Sequence, residues 1–176
     1  MATKKLVVFI DSGDTIIDES TEIRDERGVV IKASPIPGAV DAVCALHAAG
    51  YPLVMVADGR YEAFHHVHTQ SGLWDVFDHI VDSETVGVDK PDALMFRTAM
   101  DKLGLTDADK PRIIMIGNNL ECDIAGANRF GIRSALQTWS KRYNYQPESV
   151  EEIPTYVVHD PSEWQPLCDR LNAELQ

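Results

Sequence analysis

The chain alternates short, unbroken apolar runs with longer segments in which apolar positions recur every three or four residues. Residues 6–10 (LVVFI), 53–57 (LVMVA), 79–81, 113–116 (IIMI) and 134–136 are strand-like, and runs of this kind are buried on both faces of a parallel sheet. Between them the spacing predicts helices over residues 37–49, 61–71, 91–103 and 121–130, each followed by a glycine: Gly50, Gly72, Gly104 and Gly131. Glycine just past a helix stops it, and proline, as at Pro37 and Pro91, suits a first turn. Strand and helix in alternation predict an α/β fold, a Rossmann-like three-layer sandwich on a mostly parallel sheet of five or six strands.

Two segments depart from the alternation. Residues 18–34 contain TEIRDERGVVIK, two short strands about a turn at 25–28, which predicts a small surface β-hairpin flap. Residues 160–176 predict a last helix, opened by Asp160 and Glu163 at capping-box spacing and carrying one packing stripe of Trp164, Leu167, Leu171 and Leu175. Repeats and low-complexity linkers are missing from the sequence, so residues 1–176 are read as one domain.

Composition narrows the function. With 44% hydrophobic and 25% charged residues the chain is ordinary globular protein, not a disordered or disulfide-stapled one. Sixteen Lys and Arg against 28 Asp and Glu give a net charge of −12, which repels nucleic-acid phosphates and anionic membranes. Neither is expected as a partner. Cys44, Cys122 and Cys168 are odd in number, lack metal-type spacing and fall in helical segments, which fits a reduced, cytoplasmic compartment. The opening MATKKLVVFI has too few apolar residues before Asp11 for a signal-peptide core or a membrane span.

In an open parallel sheet, ligands bind beyond the carboxyl ends of the strands. Those positions here read Asp11-Ser12-Gly13-Asp14-Thr15, then Ala57-Asp58-Gly59, then Lys90-Pro91-Asp92 ahead of a helix, and Gly117-Asn118-Asn119 followed by Asp123. A carboxylate beside a lysine and a divalent cation can attack phosphorus, because the cations offset the repulsion between two anions. Asp11 is the candidate nucleophile. Gly13 permits a tight turn whose N–H groups face a phosphate, and the Thr15 hydroxyl helps orient it. Blander roles stand beside these. Asp11 and Asp14 suit a strand-to-loop turn, Lys90 suits a solvated position before a helix, and Asp123 suits a helix N-terminus capped by Asn118 or Asn119.

Taken together, the four segments resemble the motifs of the haloacid dehalogenase superfamily, whose phosphatases use an aspartate nucleophile. VVFIDSGDTIID is similar to the first motif, LVMVADG to the second, VGVDKPDALMFRTAM to the third and IIMIGNNLECDIAGANRFG to the fourth, over about residues 5–136. The resemblance implies a phosphatase forming a phospho-Asp11 intermediate. In it Lys90 neutralises charge, Ser12, Thr15, Asp58 and Gly59 lie on the substrate side, and Asp11, the Gly13 carbonyl, Asn118 and Asp123 hold Mg²⁺.

Three positions depart from the family pattern. Gly13 stands where the family has its general acid and base, a loss worth about 10²–10⁴-fold in rate, with Asp14 next door as the candidate replacement. Ala57 stands where a hydroxyl binds phosphate, and Asp58 does not restore that contact, since a carboxylate repels phosphate. Asn118 replaces a carboxylate, and neutral ligands hold a hard cation less tightly.

The intervals between motifs leave no room for a cap domain, and the hairpin with Arg24, Arg27 and Lys32 is the only built-in cover. An open site suits a small phosphorylated metabolite or a phosphorylated macromolecule, with a homo-oligomer as a further candidate lid. Lys141 and Arg142 in the loop at 139–145 either attract an anionic substrate or belong to plain surface. His65, His66 and His68 read as a solvated face in preference to a metal site. The rival to a phosphatase is an impaired phosphate- or partner-binding module of the same fold. A receiver-like domain and a metal-free dehalogenase are weaker rivals.

Overall fold

Val7–Ile10 (β1) is apolar and buried at every position, and every strand of the main sheet is laid out around it. The computed structural model describes residues 6–175; residues 1–5, including the two N-terminal lysines, and residue 176 lie outside the described residues. Leu53–Ala57 (β4), His79–Asp82 (β5), Ile113–Gly117 (β6), Arg133–Gln137 (β7) and Tyr156–Val158 (β8) complete a sheet in the order β5-β4-β1-β6-β7-β8, with all pairs parallel. The five predicted strands are all present. β8 is an addition, only three residues long and on the sheet edge, too short to carry a readable period.

Alternate residues of the central strands face opposite layers. Val8, Ile10, Met55 and Ile114 pack on Ala39–Ala48 (α1), Tyr61–Gln70 (α2) and Trp164–Glu174 (α6), while Phe9, Val54, Val56 and Met115 pack on Ala93–Lys102 (α4) and Ala125–Phe130 (α5). This is the three-layer sandwich expected of strands buried on both faces.

Helix boundaries shift by one to four residues for local reasons. α4 starts two residues after Pro91 because the Asp92 carboxylate accepts the Leu94 N–H. The segment predicted as one helix over 121–130 opens with a widened π turn, Leu120–Ile124, in which the Asn119 side chain accepts the Cys122 N–H at 2.9 Å. The expected capping box at Asp160 and Glu163 is displaced: Asp160 accepts from Ser162 N–H and Glu163 from His159 N–H, so α6 begins only at Trp164.

Ile17–Arg24 (β2) and Val30–Pro35 (β3) form the antiparallel hairpin, turned at Asp25–Gly28 with Gly28 at φ 75°. Its register jumps from Asp18 opposite Ser34 to Ile23 opposite Lys32, so residues 19–22 bulge out of the ladder. The hairpin lies against α2, held by Arg27 to Glu62 at 2.8 Å, Arg60 to the Arg27 carbonyl and Gln70 to the Ile31 carbonyl. Between β1 and β4 stand only this hairpin and α1, and between β4 and Lys90 only α2, a 3-10 turn, β5 and the short helix Ser83–Val86 (α3). No cap domain interrupts the described chain. None of its helices is long and apolar enough to cross a membrane.

Candidate active site

Asp11 is the first residue past β1, and its N–H donates to the Ile116 carbonyl at 2.9 Å, so strand pairing carries it to the sheet rim. From the other side Lys90 reaches in, with its ammonium 2.8 Å from Asp11 Oδ1, 2.6 Å from Asp123 Oδ1 and 2.9 Å from the Val56 carbonyl. Three chain segments far apart in sequence thus meet at one nitrogen. Asp123 Oδ2 accepts the Asn119 N–H at 3.0 Å. The close approach of Asp123 depends on Gly117, because a Cβ there would lie 2.6 Å from Asp123 Cβ and overlap its carboxyl.

All three charges are buried. Burial pushes the Asp11 carboxyl up to about 6, against the pull of Lys90 and with a push from Asp123. Burial alone would lower the Lys90 ammonium, but Asp11, Asp123 and Asp58 outweigh it and raise its pKa, so the amine stays charged.

The rest of the Asp11 loop is braced from several elements. The Thr15 hydroxyl lies 3.3 Å from Asp11 Oδ2 and 3.2 Å from Asn118 Oδ1. The Thr15 carbonyl accepts from Gln137, which in turn accepts from the Trp164 indole, tying α6 to the loop. Ser12 Oγ shares a 2.8 Å hydrogen bond with His68 Nε2. Asp58 Oδ1 accepts the Lys90 N–H at 2.8 Å, and burial raises its pKa. Gly59 gives its N–H to Ser83 Oγ, and a Cβ at that glycine would press on the Phe64 ring at 2.9 Å.

Of the candidate site residues, Asp11, Gly13, Asp58, Lys90, Asn118 and Asp123 line one cleft, Thr15 lies within hydrogen-bond distance of Asp11 and Asn118, and Ser12 and Gly59 line the adjoining cleft under the hairpin. Asp14, at φ 50°, is buried outside the cleft lining and anchored by Arg142, by the Tyr143 hydroxyl at 2.9 Å and by the Glu19 N–H at 3.2 Å. Arg142 also pairs with Asp18 at 3.1 Å, so Arg142 is a strut on the hairpin root instead of a free anion lure, while Lys141 is exposed surface. The histidine face is corrected too. His65 is exposed, but His68 is fully buried, and desolvation lowers its pKa to about 4.

Two of the clefts on the rim are lined in part by Gly13. One of 120 Å³ is lined by Asp11, Gly13, Glu19, Lys90, Asp123 and Tyr143. The other, of 240 Å³, lies between hairpin and α2 and includes Glu19, Arg24, Asp58, Arg60 and Phe64. Glu19 and Tyr143 were not singled out from sequence; neither sits at a strand end, and their placement depends on the bulge and on the loop after β7. Partial desolvation of its carboxyl and the nearby Asp14, Glu22 and Asp11 push Glu19, whose side chain still reaches solvent, up to about 7.

The sequence model of the haloacid dehalogenase-like hydrolases matches residues 4–131. The chain belongs to that family. This haloacid dehalogenase-like hydrolase is 34% identical over 128 residues to the pyrimidine 5'-nucleotidase YjjG of Escherichia coli, covering 71% of this chain and 52% of that protein. It is 30% identical over 130 residues to an (S)-2-haloacid dehalogenase of Pseudomonas putida, covering 74% and 54%. The chain spans about half the length of the curated relatives it matches. Among solved structures, an HAD phosphatase from Thermococcus onnurineus superposes with a TM-score of 0.74 at 16% identity over 92% of this chain and 96% of that one, a likeness of fold.

Family phosphatases imply Mg²⁺, and the donor set of this haloacid dehalogenase-like hydrolase suits it in kind. Asp11 Oδ2 and Asn118 Oδ1 lie within 3.3 Å of one hydroxyl, two hard oxygen acceptors side by side with a single donor between them. Asp123 has both oxygens engaged by Lys90 and the Asn119 N–H. Among the described residues no cluster of three or more His, Cys, Asp or Glu is arranged for a metal.

Proposed function

We propose that this hydrolase is a Mg²⁺-dependent phosphatase that cleaves a phosphate monoester through a phospho-Asp11 intermediate. The observation that carries it is the Lys90 ammonium lying 2.8 Å from Asp11 and 2.6 Å from Asp123 at the sheet rim. An anionic nucleophile approaching an anionic phosphate needs positive charge fixed beside both, and a buried ammonium supplies it without reorganisation. Asp11 and Asn118 would hold the cation, with the Gly13 carbonyl and Asp123 adjacent; when bound it neutralises the phosphate oxygens. The Asp11 carboxylate attacks phosphorus, Lys90 holds the charge that builds up, and Thr15 orients Asp11 and Asn118.

The adjoining clefts of 120 and 240 Å³ fit a phosphate and a small organic group, which favours a small phosphorylated metabolite over a macromolecule. The phosphatase and nucleotidase names among the relatives support the same chemistry. A second reading, an impaired binding module, is favoured by Ala57 and by the anchoring of Asp14 away from the cleft. Hydrolysis of 4-nitrophenyl phosphate with Mg²⁺ separates the two. The phosphatase turns it over and loses that activity in Asp11→Asn, whereas the module shows no turnover in either protein.

A further inference from the structure

We propose that Glu19, delivered by the bulge of β2, is the proton-transfer residue of this site. The inference rests on the phosphatase reading and deepens it. Gly13 leaves a side-chain volume empty beside the nucleophile, and Glu19 fills it: a Cβ built on Gly13 would overlap Glu19 Oε1 and lie 2.8 Å from its Cδ. The carboxyl of β2 therefore stands where a side chain at position 13 would stand. A bulge that pushes residues out of a ladder next to a site is a known way to re-aim one of them.

The other carboxylates of the rim have fixed duties. Asp123 is held on both oxygens, Asp14 accepts from Arg142, Tyr143 and the Glu19 N–H, and Asp58 accepts the Lys90 N–H. Asp14 thereby acts as a positioning residue, fixing the backbone of Glu19. The Glu19 carboxylate lines both clefts, on the border between Asp11 and the space under the hairpin. That border is where the bond between phosphorus and the organic group would lie.

The step balances with Glu19 alone. Asp11 forms a bond to phosphorus, the ester P–O bond breaks, and the departing oxygen takes the Glu19 proton and leaves as an alcohol. Water then attacks phosphorus and gives a proton to the Glu19 carboxylate. The bond from phosphorus to Asp11 breaks, inorganic phosphate leaves, and both residues return to their starting forms.

The test compares wild type, Glu19→Gln, Glu19→Ala, Gly13→Asp and the double variant Gly13→Asp/Glu19→Ala on glycerol phosphate, with acetyl phosphate as phosphoryl donor. Glu19→Gln is expected to lower kcat on glycerol phosphate by about 10²–10⁴-fold and to retain the phosphoryl group on Asp11 after acetyl phosphate, while its melting temperature matches wild type. Gly13→Asp alone loses activity through collision with Glu19, and the double variant regains at least about tenfold over Glu19→Ala, because a carboxyl again occupies the same volume. Wild-type turnover matched within about twofold by Glu19→Gln overturns the role of Glu19 and leaves the phosphatase reading intact. Absence of any wild-type turnover or adduct overturns both.

Discussion

On the Lys90 side of Asp11, two carboxylates and one ammonium are buried, each with a named partner within 3.0 Å, and a glycine at 117 is spent to let Asp123 come close. On the hairpin side, Glu19 stands beside Asp14 at the edge of two open clefts, and the nearby cations, Arg142 paired with Asp14 and Arg24 paired with Glu22, are both exposed. Removing one partner of a buried ion pair strands the other charge, so the first wall is a fixed electrostatic frame. Glu19, pushed up to about 7 by desolvation and its acidic neighbours, is the carboxyl of the second, wet wall placed to gain and lose a proton. Fixed field and mobile proton are thus separated within one pocket.

That contrast is broken most severely at Lys90. Lys90→Met should destabilise the fold by about 3–5 kcal/mol, because it strands Asp11 and Asp123 without compensation, and a urea titration reads it directly. A loss below about 1 kcal/mol would mean that the frame is not a frame. Glu19→Gln, on the wet wall, leaves the same titration unchanged.

Next in size is acid sensitivity through His68, whose imidazole is buried under the Ser12 hydroxyl. Its pKa falls from 6.5 to about 4 on folding. The unfolded chain therefore binds the proton first, and stability from this group is intact above pH 6.5 and lost as pH falls toward 4. The loss is on the order of 3 kcal/mol. His68→Gln should flatten the pH dependence of the urea midpoint in that window, and an unchanged slope would remove His68 as its source.

Smaller still is Tyr143→Phe, which takes one hydroxyl from the buried Asp14 carboxylate and should cost about 1–2 kcal/mol, checked by thermal denaturation. If Asp14 fixes Glu19, the same variant also lowers kcat. The smallest effect is expected at the hairpin tip: Arg27 and Glu62 are exposed, so Arg27→Ala leaves the melting temperature as it is, and a clear drop would show that the hairpin docking matters to the core.

Much of the frame was legible in the sequence because continuous apolar runs announce parallel strands and the residues that end them announce the rim. Asp11, Lys90, Asn118 and Asp123 were found in that way, and the structure gathers them around one ammonium or one hydroxyl. The wet wall was not legible. Glu19 lies in a polar hairpin whose pattern fixes two strands but not a register jump between Asp18 and Ile23. Arg142 and Tyr143 read as a basic surface loop, since nothing local shows that Asp14 waits for them across 128 residues. His68 sits among polar neighbours on α2, and its burial depends on the turn of the Asp11 loop that carries Ser12 toward it.

The central claim, that Asp11 is a nucleophile toward phosphorus inside a Lys90-neutralised pocket, is tested most directly by mass spectrometry. The protein is mixed with acetyl phosphate and Mg²⁺, quenched in acid within the first turnover, and digested. One phosphoryl group on the peptide containing Asp11, absent in Asp11→Asn, is the predicted result. A phosphoryl group on another residue, or an unmodified Asp11 peptide, would contradict it.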